Sequence, residues 1–219
     1  MIYRHNKSAA DETMARLAGD GHAAIQVDVS KAEGAQAAVQ GSVEALGGLD
    51  IVVNNAGIFV PHPLVEVEYA DWQSAWRGTL DTNLIGPANL CYAAAKQMIG
   101  QGGGKIVNVS SRGAFRGEPD APAYAASKAG LNALSQSLAV ALAPHGIFVG
   151  VVAPGFIDTD MAEETLRGAS GVAIRKQSPL GRVGDPREVA NTVLFLASDD
   201  IEFVTGAIID VNGASYLRS

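Results

Sequence analysis

Short runs rich in Val and Ile alternate with longer segments of helical period along most of this chain, and this alternation constrains the fold strongly. The runs lie at residues 22–29, 50–54, 105–110, 147–152 and 207–211. Runs of this length and composition are typical of buried strands, and helices between them imply that the strands are parallel. The sequence therefore predicts an α/β fold, a doubly wound parallel sheet with helices on both faces, in a single domain over residues 1–219.

Two polar patterns predict where the first helices begin. The segments Ser8 to Asp11 and Ser30 to Glu33 each place a hydroxyl three residues before a carboxylate, which is the spacing of a capping box. We expect the first helix to end at Gly19 and Gly21, and the second at Gly47.

Residues 160–178 form a polar stretch without regular period between a strand and the helix that begins near Pro186. An insertion at this place predicts a mobile substrate lid, and an ordinary loop is the alternative.

Composition and charge exclude several classes of protein. The net charge is −7, whereas nucleic acids and anionic membranes are bound through clustered Lys and Arg. No apolar run reaches the ~18 residues of a membrane span, and the first residues lack the apolar stretch of a signal peptide, so we expect a cytoplasmic protein. The single cysteine, Cys91, lies in an apolar helical pattern and is interpreted as core packing. The four histidines are scattered, and we expect no metal site.

Tyr124 and Lys128 are four residues apart near the start of a long helical pattern, so their side chains share one face. A cation about 4 Å from a phenol favours the phenolate by roughly 4 kcal/mol at an effective dielectric near 20. We therefore expect Lys128 to lower the pKa of Tyr124 and to make proton transfer possible near neutral pH. Ser111 follows a predicted strand, where its hydroxyl can hold a carbonyl oxygen. By itself the Tyr–Lys pair is weak evidence, because such pairs are usually surface contacts.

The combination of these residues with other motifs resembles the short-chain dehydrogenase/reductase family over essentially the whole chain. The resemblance implies a Rossmann-like fold and an oxidoreductase that uses a nicotinamide cofactor. It implies that Tyr124 is the general acid/base and that Ser111 orients the carbonyl. Lys128 would hold the nicotinamide ribose, and Asn83 would fix a water in a proton relay to Lys128. The matching segments are Asn54–Gly57, Asn83, Ser111, Tyr124, Lys128 and Pro154–Thr159.

The same resemblance implies three groups of cofactor contacts besides Tyr124 and Lys128. The first group lies after the second predicted strand, where backbone is expected to approach the adenosine half of the cofactor closely. The second group is expected to contact the adenine, and the third the nicotinamide carboxamide. A structural turn is the alternative for the first and third groups, and a cap of the next helix is the alternative for Asp28. The residues are, in the same order, Asn55, Ala56 and Gly57; Asp28 and Val29; and Pro154, Gly155, Ile157 and Thr159.

The choice of cofactor is predicted from the first residues. NAD-dependent members of the family usually carry an acidic residue at the end of the family's own second strand. In this chain the residue that aligns with that position is Tyr3, and Arg4 follows it. A cation favours a 2′-phosphate, so we expect NADP(H), with NAD(H) possible. A solvated surface side chain is the alternative for Arg4.

No Gly-rich phosphate loop precedes the first predicted helix, although the resemblance implies one there. Gly102–Gly104 cannot serve, because these glycines lie between a helix and the following strand. We therefore expect that the chain lacks the family's first βα unit, about 25 residues that include a central strand, and that it binds NADPH weakly.

Three functions stay open at this stage. The first is an NADP(H)-dependent reductase of a 3-oxoacyl thioester or similar ketone. The second is a sugar or polyol dehydrogenase, since specificity depends on the variable segments 112–120 and 160–178. The third is a noncatalytic oligomerisation or binding module. In each case the apolar helical patterns at 79–99 and 124–142 favour a homodimer or homotetramer.

Overall fold

The computed structural model describes residues 1–167 and 169–218, except the side chains of Glu164 and Ala169. In this part of the chain the strands form two parallel sheets, one in the order β1-β2 and the other in the order β3-β4-β5-β6. The strands are β1 (Ile2–Tyr3), β2 (Ile25–Gln26), β3 (Ile51–Asn54), β4 (Gly104–Val109), β5 (Ile147–Pro154) and β6 (Ile208–Val211).

Helices connect successive strands, as parallel pairing requires. A π-helical turn, Asp81–Ile85, joins α3 to α4, and short 3₁₀ turns occupy Ala143–His145 and Glu202–Val204. The α-helices are α1 (Lys7–Arg16), α2 (Ala32–Leu46), α3 (Tyr69–Leu80), α4 (Gly86–Gln101), α5 (Gly113–Arg116), α6 (Pro122–Leu142), α7 (Asp160–Arg167), α8 (Ala169–Gln177) and α9 (Pro186–Ala197).

Both faces of the four-stranded sheet are covered by apolar side chains. On one face, Ile106 and Val149 pack with residues of α4 and α6, including the fully buried Met98. On the other face, Val107 and Val152 pack with Leu196 of α9. Because alternate residues of β4 and β5 enter opposite cores, these strands need apolar side chains throughout, and the prediction of a doubly wound α/β fold is confirmed.

Strand β2 is shorter than the sequence predicts. Only Ile25 and Gln26 pair with β1, although the run at 22–29 has strand character throughout. Within the described residues, β1 pairs with β2 alone and β3 pairs with β4 alone, so the two sheets are separate. The expectation about the family's first βα unit stays a prediction.

The two predicted helix starts are wrong by one to two residues. Asn6 caps α1, because its Oδ1 accepts from the Ala9 N–H at 2.9 Å, and Ser8 lies inside the helix. At α2 the N-cap residue is Lys31, and the Ser30 hydroxyl donates to Asp28 Oδ1 at 2.7 Å instead of capping the helix. The predicted end at Gly47 is confirmed by its left-handed φ of 82°.

The stretch 160–178 is helical and not irregular. It contains α7 and α8, and among the side chains that the structure describes there, Leu166 and Ile174 are buried apolar residues. Most of the other residues are polar, so composition alone does not indicate these helices. Its role as a lid stays a prediction. Among the described residues, no helix combines the length and apolar character that crossing a bilayer requires.

Candidate active site

The carboxyl ends of β3, β4 and β5 meet at one edge of the sheet, and predicted site residues follow each of them. The parallel register places Asn54 beside Asn108, and the Ser110 N–H donates to Val152 O at 2.7 Å. One residue further on, the Arg112 N–H donates to Pro154 O at 2.8 Å, so Ser111 lies between two anchored peptides. The topology therefore gathers the segments after three strands, which is where open α/β sheets bind ligands.

Helix α6 carries Tyr124 and Lys128 to this edge. Pro122 at its first position favours the helix start, and four residues separate the two functional side chains. Lys128 is 4% exposed, and its Nζ donates to Val109 O at 2.8 Å, at the end of β4. Burial lowers the pKa of Lys128 from 10.5 to about 8, because removing an ammonium from water disfavours its charged form.

The phenol of Tyr124 is harder to ionise than an ordinary tyrosine. Burial raises its pKa, the Ser111 hydroxyl lowers it in part, and the Glu118 carboxylate adds to the rise. The expected lowering by Lys128 does not occur in this geometry, since Nζ bonds to Val109 O and lies 5.8 Å from the centre of the Tyr124 ring. Tyr124 is thus protonated at neutral pH, which is the state that a proton donor needs.

Asn83 is fully buried in the π-helical turn and joins two elements of the site. Its Oδ1 accepts from the Ile58 N–H at 2.8 Å, and its Nδ2 donates to Ile58 O at 2.9 Å and to Ser127 Oγ at 3.2 Å. The side chain therefore links the loop after β3 to α6. The π-helical turn was not predicted, because a single extra residue per turn leaves no visible mark in the sequence; such turns are frequent at functional sites.

Gly57 lies beside Lys128 and Asn83 and has no side chain to cover them. A Cβ at this position would lie 3.4 Å from Lys128 Nζ and 3.5 Å from Asn83 Oδ1. The absence of a side chain leaves an approach to the buried ammonium from the cleft. A ribose hydroxyl fits this arrangement, because the ammonium of Lys128 and the peptide of Gly57 are hydrogen-bonding groups on one wall.

Comparison with known proteins identifies the family. A family model described as "Enoyl-(Acyl carrier protein) reductase" matches residues 1–214. This chain belongs to the short-chain dehydrogenase/reductase family. It is an NAD(P)-dependent oxidoreductase, and its relatives are enzymes that process small molecules.

Curated relatives in this family are 3-oxoacyl-[acyl-carrier-protein] reductases named FabG. The protein of Staphylococcus aureus is 38% identical over 217 residues, which are 98% of this chain and 86% of the relative. That of Vibrio cholerae is 36% identical over 199 residues, 91% of this chain and 80% of the relative. The reductase of Chlamydia muridarum is 41% identical over 187 residues, 85% of this chain and 73% of the relative.

In this short-chain dehydrogenase/reductase, Asp28 makes a turn and does not cap α2. Its Oδ1 accepts from the Ser30 N–H at 3.0 Å and from the Ser30 hydroxyl at 2.7 Å. These bonds, chiefly the one from the hydroxyl, hold the pKa of Asp28 below its ordinary value. Val29 O lies close to the π-helical turn, since a Cβ on Gly86 would come within 2.7 Å of it. The predicted adenine contact of Asp28 and Val29 stays a prediction.

Arg4 lies after β1 with its side chain 45% exposed, and its guanidinium is 3.9 Å from Asp28 Oδ2. This is a loose ion pair at the surface, so the guanidinium can turn toward another anion at small cost.

The predicted nicotinamide segment lies where the sequence places it, beyond β5. The Gly155 N–H donates to Val211 O at 3.0 Å, and a Cβ there would come within 2.9 Å of Asn212 Cβ. Ile157 pairs with Gly184, and Thr159 Oγ1 donates to Ile157 O at 3.5 Å. Pro154 is the last residue of β5. The loop is therefore pinned by β6 and by the segment that precedes α9.

Two residues beside Tyr124 were missed by the sequence reasoning. Phe59 packs edge-on against the Tyr124 ring, with the centres 5.1 Å apart. Glu118 is half-buried, and this burial raises its pKa. Neither lies in a motif, so only the folded chain reveals them. Among the described residues, no cluster of His, Cys, Asp and Glu could hold a metal ion.

Proposed function

We propose that the protein uses NADP(H) to reduce the ketone of a 3-oxoacyl thioester, or a similar ketone, to a hydroxyl. The observation that carries the proposal is the arrangement of Ser111, Tyr124 and Lys128 at one sheet edge, with a protonated phenol between a hydroxyl and a buried ammonium. The names of the curated relatives support the substrate class.

Tyr124 and Ser111 would act on the carbonyl oxygen. The Gly113 N–H donates to Ser111 Oγ at 3.0 Å, which occupies an acceptor site, and the Ser111 hydroxyl proton, which lies beside the Tyr124 phenol, would turn to a carbonyl oxygen bound between the two hydroxyls. A bound nicotinamide supplies the hydride that adds to the carbonyl carbon. As the C=O bond becomes a C–O bond, Tyr124 donates its proton to the oxygen and is left as a phenolate, which solvent must reprotonate.

Lys128 and Asn83 would support this step. Lys128 Nζ, which lies 5.8 Å from the centre of the Tyr124 ring and 3.4 Å from the place of a Cβ on Gly57, would donate to a ribose hydroxyl and so hold the cofactor beside the phenol. Asn83 fixes the loop that carries Gly57. We propose that Asn83 also holds a water molecule in a proton relay to Lys128.

The preference for NADP(H) over NAD(H) rests on Arg4. A guanidinium that is half exposed and only loosely paired can bind a phosphate through two parallel hydrogen bonds. We assign the adenosine contacts to Asp28, Val29, Asn55, Ala56 and Gly57, and the carboxamide contacts to Pro154, Gly155, Ile157 and Thr159, as the family resemblance implies.

Glu118 favours a second candidate, a sugar or polyol dehydrogenase. A half-buried carboxylate close enough to raise the pKa of Tyr124 can accept hydrogen bonds from substrate hydroxyls. A substrate panel separates the candidates. A 3-oxoacyl thioester reductase reduces the C=O bond of acetoacetyl-CoA, a polyol dehydrogenase oxidises a C–OH group of a polyol, and crotonyl-CoA tests for reduction of a C=C bond instead.

The test of the proposed mechanism is Tyr124→Phe. We expect the rate of NADPH oxidation with acetoacetyl-CoA to fall by about 100-fold or more, because the proton donor is lost while the ring packing remains. Tyr69→Phe is the matched control, since Tyr69 is 73% exposed on α3. Equal rates in the two variants would contradict the proposal. Absence of any oxidoreductase activity in the parent would favour a noncatalytic module.

We also propose that the protein works in the cytoplasm as a homodimer or homotetramer. Tyr92 on α4 and Val140 on α6 are 64% and 80% exposed, and apolar side chains on long helices are typical of subunit contacts. The single cysteine, Cys91, is buried, which fits a reducing compartment.

A further inference from the structure

His62 is a buried histidine whose two ring nitrogens have fixed and opposite roles. It lies in the loop after β3 and is 1% exposed. Nδ1 is 2.7 Å from the carbonyl oxygen of Val60, which can only accept, so Nδ1 carries the proton. The Ala123 N–H donates to Nε2 at 3.2 Å, so Nε2 carries the lone pair. The geometry thus assigns one neutral tautomer.

The bond to Ala123 satisfies the start of the helix that carries Tyr124. The first N–H groups of a helix have no partner within it, and a side chain of the N-cap residue usually supplies one. Here the N-cap residue is Ala121, which has no side-chain acceptor. His62 supplies the acceptor from a distant loop, and its own backbone N–H donates to Asp120 O at 2.6 Å.

Aromatic packing keeps the imidazole in this orientation. The ring centre of Trp72, on α3, lies 5.3 Å from that of His62 in an edge-on arrangement. The same loop presents Phe59 to the Tyr124 ring. One loop therefore contacts both the peptide before Tyr124 and the Tyr124 side chain.

We propose that His62 is a positioning residue for Tyr124 and acts as a helix cap supplied from another part of the chain. It sets the position of the first turn of α6, and thereby the place of the phenol relative to Ser111. This inference rests on the proposed function, since it concerns the residue that donates the proton there. A rate that depends on the position of the donor is sensitive to displacements of about 1 Å.

The test compares three substitutions that keep different parts of the imidazole. His62→Gln keeps an acceptor near the place of Nε2, His62→Asn keeps only a donor near the place of Nδ1, and His62→Leu keeps neither. We expect kcat of His62→Gln with acetoacetyl-CoA and NADPH to stay within about 3-fold of the parent. The Asn and Leu variants should lose about 10-fold or more in kcat, with KM changed by less than about 2-fold.

Asn6→Ala is the control for loss of a helix cap elsewhere, because Asn6 caps α1 through the Ala9 N–H at 2.9 Å. A similar fall in kcat in this variant, or equal kcat in His62→Gln and His62→Leu, would overturn the inference.

A second measurement does not depend on activity. In ¹⁵N-labelled protein, the ring nitrogens of His62 should show the tautomer with the proton on Nδ1, and the Ala123 amide should exchange faster in His62→Leu than in His62→Gln. A proton on Nε2, or equal exchange in the two variants, would overturn the cap. Failure of the proposed function would instead appear as activity that survives Tyr124→Phe, whatever the state of His62.

Discussion

The edge of the four-stranded sheet and the small β1-β2 sheet differ in how their functional groups are held. At the large sheet, Lys128 and Asn83 are 4% and 0% exposed, and each is bonded to backbone. At the small sheet, Arg4 and Asp28 have side chains that are 45% and 35% exposed and stand 3.9 Å apart. The proposed catalytic groups are fixed by burial and by bonds to backbone, whereas Arg4, assigned to the 2′-phosphate, is held only by a loose surface ion pair.

Substitutions at the two ends of the site should therefore have different effects on stability and on binding. A buried polar group that loses its partner costs stability as well as function, because the remaining group is left unpaired away from water. A surface ion pair contributes little to stability, so a change there should act on binding alone.

Lys128→Met should give the largest effect and the sharpest contrast. We expect kcat/KM to fall about 100-fold or more, while the free energy of unfolding at pH 7 rises by about 1–3 kcal/mol, because a desolvated ammonium is removed. Below pH about 8 the ammonium is charged in both folded and unfolded states, and the full burial penalty acts on the parent. Between pH about 8 and 10.5 only the unfolded parent holds the proton, so its stability should rise with pH and approach that of the variant.

Urea unfolding at pH 7 and pH 10 checks this prediction, with Lys96→Met, an exposed residue of α4, as the control. A variant less stable than the parent at pH 7 would show that the bond to Val109 outweighs the burial penalty.

Asn83→Ala should reduce stability by about 2–4 kcal/mol, because it leaves the N–H and C=O of Ile58 without their partner. Thermal or urea unfolding measures the change. Asn191→Ala, on the exposed side of α9, should change stability by no more than about 0.5 kcal/mol. If the two variants were equally stable, the buried site would be no more constrained than the surface.

Arg4→Ala should give the smallest effect, confined to the choice of cofactor. We expect the ratio of kcat/KM for NADPH to that for NADH to fall about 5- to 10-fold, which is about 1 kcal/mol, with unchanged stability. Arg16→Ala, at the end of α1, is the control. An unchanged ratio would remove Arg4 from the assigned cofactor contacts.

Sequence patterns predicted well the strands that extend over several residues, and predicted poorly the helix starts, each of which depends on a single side chain. The strands at 147–152 and 207–211 were predicted to within about two residues, because short continuous apolar runs are typical of buried strands. The caps at Ser8 and Ser30 were wrong, since Asn6 caps α1 through the Ala9 N–H, and the Ser30 hydroxyl donates to Asp28 while Lys31 is the N-cap residue of α2. The helices α7 and α8 were missed because the stretch 160–178 is mostly polar.

The pKa of Tyr124 shows the same limit at the site. The sequence places a cation four residues away, but the rotamer of Lys128 and the burial of the ring decide the direction of the shift.

The amino-acid order is sufficient for the α/β class and the parallel pairing, because spacing along strands and helices dictates which side chains share a face. Its resemblance to the family is what makes Ser111, Tyr124 and Lys128 the candidate catalytic residues. The folded chain alone decides the protonation of those groups, the π-helical turn under Asn83 and the cap that His62 lends to α6. The bonds Lys128–Val109, Asn83–Ile58 and Ala123–His62 join residues 19, 25 and 61 positions apart and exclude water from the groups they hold, and local spacing does not encode such contacts.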